Sequence, residues 1–385
     1  MAYSFRVRSW ATLLSAIIAL ATITAGARGE STGELLAAVK RVGPEGAGHA
    51  EAIAAVAELQ RRGAENLLPI LRGFRDANPL AANWLSGAFE SIADRTLTGG
   101  GELPAREIEA FVVDTAQAPA ARQLAFDWLE RVDATSRARL IPAMLDDPAP
   151  GLRREAVAHQ IARAERFEKE QAAAEALAAW REAFRGAVHV DQVKRIVKAL
   201  EERGEPVSVP EHLGFLTEWK IVGPFEHADG VGFDAVYPPE KAVDFAADYD
   251  GKTGRVAWRT VATEDDFGLV DIAKRIAPHK GAAMYAAADF HSDEARAAEI
   301  RIGTPNAWKL WVNGEVVFSR VEYHRGMTVD QYRVPVRLKA GANRILLKIC
   351  QNEQTEDWAQ SYEFQLRVCD RSGTGLRSAR RGNGG

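Results

Sequence analysis

The eight histidines stand singly, at 49, 159, 189, 212, 227, 279, 291 and 324. No two have the H-x-x-x-H or H-E-x-x-H spacing that would put two imidazoles on one face of a helix around zinc. No Gly-x-Ser-x-Gly elbow and no phosphate loop occur, and the run Glu264-Asp265-Asp266 reads as loop capping. The residue types point instead to reversible contact. In "NAWKLWVNGEVVF" (306–318), Trp311 lies on the strand face opposite Leu310 and Val312. Left open to water, its indole could stack on the C–H face of a sugar ring; covered by a loop, it would be core. Two polar segments add the groups that hydroxyls need: Tyr323, His324 and Arg325 in "RVEYHRGMTVD", and Asn352, Glu353 and Trp358 in "QNEQTEDWAQ". The bland alternatives are loops that are polar for solvation alone, and an Arg325 that pairs with a neighbouring carboxylate.

These groups need elements to hold them. The first half of the chain is helical. "STGELLAAVKRVG" opens with Ser31 and Glu34 at capping-box spacing. Prolines 79, 119 and 150 each precede apolar residues at three- and four-residue steps, as expected of proline at the first helical position. Roughly ten helices fit into 34–203. In "LIPAMLDDPAPGLRREAVAHQIARA" an Asp146-Asp147-Pro148 turn joins two helices. That unit resembles a HEAT repeat, which implies helix pairs stacked into an α-solenoid; an irregular helical bundle is the alternative. The helical pattern stops around Pro206 and Pro210.

The second half alternates in short runs. Tyr332, Val334, Val336 and Leu338 share one face, and so do Tyr362, Phe364, Leu366 and Val368. Pro335 within its run marks an edge or a bulge. Asn313-Gly314 is a type I′ hairpin signal, because both central residues need positive φ. Read as consecutive strands of one hairpin, 343–351 and 361–369 place Cys350 and Cys369 on the order of 20 Å apart at ~3.3 Å per residue. That separation predicts two free thiols.

The segments "KLWVNGEVV", "LKAGANRILLKI" and "YEFQLRV" resemble the jelly-roll sugar-binding domain of family-2 glycoside hydrolases, and galactose-binding-like β-sandwiches more broadly. The residues that match are Val312, Asn313, Gly314, Leu338, Gly341, Asn343 and Ile345. The resemblance implies an antiparallel jelly-roll β-sandwich over about 215–370. It also implies contact with sugar and a structural calcium ion, with no ligands named. With "EWKIVGPF", the chain is similar to large secreted bacterial proteins that join helical repeats to such a sandwich.

The N-terminus carries Arg6 and Arg8, then an apolar run at 11–25, then Ala25-Gly26-Ala27. That order reads as a secretory signal peptide over 1–27, leaving no membrane span after cleavage. The organisation expected is a helical-repeat domain at 31–204, a linker at 205–213, a sandwich at 214–370 and a disordered tail at 371–385. A net charge of −4 argues against nucleic acid as a partner. The expected role is that of a secreted or periplasmic, non-catalytic binding or scaffold protein. Its sandwich would contact carbohydrate or a cell-surface glycan, and its helices would contact protein. The alternatives are a purely structural scaffold and a polysaccharide hydrolase.

Overall fold

The computed structural model describes residues 30–379; the signal peptide read over 1–27 and the end of the tail, 380–385, lie outside the described residues. The chain divides into two compact units, one ending at Ile92 and one beginning at Ala93. Helices come first and antiparallel sheets follow.

In the first unit, the helix Thr32–Lys40 starts at the expected capping box, with Ser31 and Glu34 exchanging side-chain and backbone hydrogen bonds. Its buried face, Leu35 and Val39, packs on the helix His49–Arg61, which buries Ala52, Val56 and Leu59.

The second unit continues through helices whose starts the prolines mark: Pro119–Val132 and Pro150–Lys169 both carry proline at the first turn. Among the described residues, ten α-helices precede Glu202. The Asp-Pro turn is built as a charged clamp. Arg122, fully buried, reaches Asp147 with both terminal nitrogens at 2.7 and 2.6 Å, while its Nε donates to the Val112 carbonyl at 2.7 Å. Asp147 in turn accepts the Ala149 N–H, which fixes the entry of the next helix. The segment expected as a linker holds a short helix, Val209–Leu213, capped by Ser208.

Twelve strands follow among the described residues: β1 Glu218–Glu226, β2 Asp248–Gly251, β3 Gly254–Ala257, β4 Arg259–Ala262, β5 Val270–Asp271, β6 Ala282–Ser292, β7 Arg296–Gly303, β8 Ala307–Val312, β9 Glu315–Arg320, β10 Tyr332–Leu338, β11 Gly341–Gln351 and β12 Glu363–Cys369. A six-stranded sheet runs β4-β1-β6-β11-β8-β9, a four-stranded sheet β10-β7-β12-β5, and β2-β3 is a separate hairpin. Side chains of the two larger sheets meet in one apolar cluster. β8 gives it Trp308 and Leu310, β11 gives Ile345, Leu347 and Ile349, β7 gives Ile300 and Ile302, and β12 gives Phe364 and Leu366.

The alternation read in the sequence holds for β10 and β12. Val334 and Leu338 are buried while Arg333, Pro335 and Arg337 are exposed, and Tyr362, Phe364, Leu366 and Val368 all face the core. Pro335 sits on an edge strand, where a residue without an N–H is tolerated. Asn313 and Gly314 have φ of 54° and 88°, the positive values that the β8–β9 turn requires.

Three expectations are corrected. The first is the pairing of β11 with β12. They form no hairpin and lie in different sheets, because alternation sets which face of a strand is buried and not which strand it pairs with. Cys350 and Cys369 are free and buried, one in each sheet, and burial pushes their thiols up to about 12 and about 11. The second is the tail: residues 371–379, expected to be disordered, are tied down. Arg153 donates to Thr374 Oγ1 at 2.6 Å, Arg367 to the Gly373 carbonyl at 2.9 Å, and Ala379 N to the His291 carbonyl at 2.9 Å. The third concerns Trp311. It is 5% exposed, buried on the outer face of the six-stranded sheet with Phe225, Phe233, Tyr285 and Leu346. Tyr237, Tyr249, Val256 and Trp258, from the segment that follows β1, pack against that cluster.

Among the described residues, no helix is long and apolar enough to cross a membrane.

Candidate functional site

The turn after β1, the loop after β9 and the loop after β11 converge. Gly281 N–H donates to the Asn352 carbonyl at 3.0 Å, and His227 N–H to the Gly281 carbonyl at 2.9 Å, so both the β1 and β11 ends are fixed to the start of β6. Glu353 accepts the Asp229 N–H at 2.7 Å, tying the two outer segments directly. Lys252 donates to Glu226 at 2.9 Å and to the Gly281 carbonyl at 2.6 Å beside them.

The β9 loop enters through two residues. The Tyr323 hydroxyl lies 2.7 Å from His227 Nε2, and His324 Nε2 lies 2.7 Å from Asn352 Oδ1. A carboxamide oxygen only accepts, so His324 donates from Nε2 to Asn352. His324 Nδ1 and His227 Nδ1 are both buried without a partner. His324 holds a φ of 56°, and its ring meets that of Trp358 edge to face at 5.2 Å and 87°.

Trp358 is 62% exposed. It sits in the short turn Asp357–Ala359, whose last carbonyl accepts Lys280 Nζ at 2.8 Å and Gln351 Nε2 at 3.0 Å. The indole is therefore open to solvent while its backbone and its ring are held. A fixed aromatic face beside an amide, a carboxylate and an imidazole is an arrangement that can bind an amphipathic ring without ordering new groups.

Five of the seven candidates named from sequence meet here: Tyr323, His324, Asn352, Glu353 and Trp358. Two do not. Trp311 is in the core, as described above. Arg325 is exposed and pairs with Glu322 at 3.0 Å. Glu322 also accepts from Arg320 and from Tyr332 at 2.9 Å, and these bonds, Arg320's foremost, hold its carboxyl down at about 2. His227, Asp229, Lys252 and Lys280 were not legible as site residues. Each is remote in sequence from both loops: His227, Asp229 and Lys280 come from beside the paired strands β1 and β6, and Lys252 from the β2–β3 turn, where its N–H donates to the Pro224 carbonyl. Among the described residues, no group of three or more His, Cys, Asp or Glu could hold a metal ion, so no ligands are assigned to calcium.

Burial holds the imidazoles of His189, His212, His227 and His279 below their ordinary value of 6.5. At His227, Lys348 and Lys252 reinforce burial while Glu353 and Glu226 oppose it. The unfolded chain therefore takes up protons first as the pH falls. Stability that these groups contribute is complete above about pH 6.5 and is lost as the pH drops through their lower folded values. Denaturation midpoints measured between about pH 8 and about pH 5 should fall toward acid, with a shallower fall in His227→Gln. An identical slope in that variant would remove His227 from the account.

No family model matches the chain. No curated protein matches it. Among solved structures, it is similar to a beta-glucosidase from Kluyveromyces marxianus in complex with glucose, over 39% of this chain and 16% of that one, at 10% identity and a TM-score of 0.25. It is also similar to a GH31 alpha-xylosidase from Xanthomonas citri, over 30% of this chain and 15% of that one, at 10% identity and a TM-score of 0.18. A likeness of this extent fixes neither fold nor function.

Proposed function

We propose that the chain is an exported, non-catalytic binding protein. Its sheets form a galactose-binding-like jelly-roll sandwich that contacts carbohydrate or a cell-surface glycan. Its helices form a HEAT-like solenoid that contacts protein. Export rests on the N-terminal residues alone, and leads to a secreted or periplasmic location. The helical reading is supported by the Arg122–Asp147 clamp at the Asp-Pro turn.

The observation that carries the carbohydrate reading is the meeting of two separately encoded polar loops around one open, edge-supported indole, Trp358. Binding would be reversible: stacking on Trp358, with hydroxyls bonding to Asn352 and Glu353. A purely structural scaffold is the second reading, and the burial of Trp311 favours it.

Trp358→Ala separates the two. Loss of a central aromatic contact costs about 1.4–2 kcal/mol or more, so glycan affinity should fall roughly 10- to 30-fold. Folding stability should change by no more than about 0.5 kcal/mol, as for other exposed positions. Titration of immobilised glycans with the full chain reads the first, and urea denaturation the second. Affinity equal in both proteins would contradict the site.

A further inference from the structure

A wide groove lies away from that platform. It measures about 1010 Å³ and is lined by Glu218 and Lys220 of β1, Ala287, Asp289 and His291 of β6, and Phe245, with residues 378–379 closing one side. In register, Ala282 and Glu226 mark the platform end of β6, and Asp289 stands seven residues further along the same strand. At ~3.3 Å per residue the two places are roughly 23 Å apart. They share no residue.

The walls have a definite chemistry. Phe245 is 37% exposed, and its ring is held edge-on by Trp258 at 5.3 Å and 88°. The Arg344 guanidinium lies 4.7 Å from the Phe245 ring centre. Arg344 also makes a two-pronged pair with Asp289, through Nε and through Nη2 at 3.0 Å. Lys220 donates to Thr260 Oγ1 at 2.6 Å. Ala287, opposite Lys220 across the β1–β6 pair, leaves room on the floor.

Arg344, outside the lining, engages Asp289, and the other lining pair of charges, Glu218 and Lys220, is of opposite sign, so the groove offers an ionic ligand no net counter-charge. The Asp289 carboxylate, fixed by that pair, presents acceptor oxygens to the groove, which matches sugar hydroxyl donors. A partly open phenyl ring alongside matches the C–H face of a sugar. The volume is at the upper end of small-molecule sites, about 300–1,000 Å³.

We propose that this groove is a second binding site, which takes a neutral oligosaccharide, with Phe245 as its stacking wall and Asp289, held in place by Arg344, reading hydroxyls. It rests on the groove's own residues and not on the Trp358 platform.

The test is calorimetric titration of the full chain carrying Trp358→Ala with cellotetraose, xylotetraose, mannotetraose and galactotetraose. At least one should bind at one equivalent. Adding Phe245→Ala should weaken that binding at least tenfold. Should that change loosen the Trp258 contact and lower stability, Asp289→Asn keeps the shape and should still weaken binding about fivefold. Tetragalacturonate should bind more weakly than the best neutral tetrasaccharide. No binding by any neutral tetrasaccharide, binding indifferent to both variants, or tetragalacturonate bound as tightly as the neutral chains would each overturn the proposal. Loss of binding in Trp358→Ala alone, with Phe245→Ala unaffected in the parent chain, would overturn it while leaving the loop platform standing.

Discussion

Lys348→Met is expected to cost about 3–5 kcal/mol of folding stability, the range for breaking a buried ion pair from one side. Lys348 is fully buried on β11. Its ammonium donates to the carbonyls of Phe233 and Ala235 at 3.0 and 2.7 Å and to Glu240 at 2.8 Å. Glu240 also accepts from the Tyr285 hydroxyl. Removing the lysine leaves a carboxylate and two carbonyls without that donor. The double variant Lys348→Met with Glu240→Gln removes the orphaned charge and should recover part of the loss. Urea denaturation measures both. A loss under about 1 kcal/mol in the single variant would show that the pair contributes little.

Trp311→Ala is expected to cost about 3–5 kcal/mol, the range for truncating a large aromatic in a packed core. The indole is 5% exposed and packed between the six-stranded sheet and the segment after β1. Glycan affinity should stay as in the parent chain once the protein is kept folded. The two tryptophans thus differ in role: Trp311 supports the fold, and Trp358 is the open one. A stable Trp311→Ala protein with lost glycan binding would reverse that assignment.

Why the sequence leaves Trp311 undecided is physical. Alternation along β8 correctly puts Trp308 in the inner core and Trp311 on the opposite face. Whether that face is wet depends on residues 228–258, which have no sustained helical or strand period and reach the sheet through single anchors. Phe233, Tyr237, Tyr249 and Trp258 are those anchors. Their aromatic character is the one local signal that the segment covers something. The Asn313-Gly314 turn, the capping box at Ser31 and the faces of β10 and β12 were legible because each depends on neighbours in sequence.

The same distinction explains the site and the tail. Tyr323, His324, Asn352, Glu353 and Trp358 could be named as polar or aromatic loop residues. Their convergence depends on the pairing of β6 with both β1 and β11, which no local pattern encodes. Residues 371–379 look featureless because their partners include distant arginines: Arg153, Arg301 and Arg367. Arg301 and Arg367 are themselves buried and share Asp330, at 2.8 Å from Arg301 and at 2.7 and 2.6 Å from Arg367.

The most direct measurement is a side-by-side titration of immobilised neutral glycans with the full chain and with Trp358→Ala, both carrying Phe245→Ala so that the groove does not contribute, followed by analysis of the glycans for cleavage. Saturable binding that weakens roughly 10- to 30-fold in the variant, with every glycan recovered intact, is the predicted result. No binding by the parent chain, binding unchanged in the variant, or cleaved glycan products would contradict a non-catalytic carbohydrate contact at Trp358.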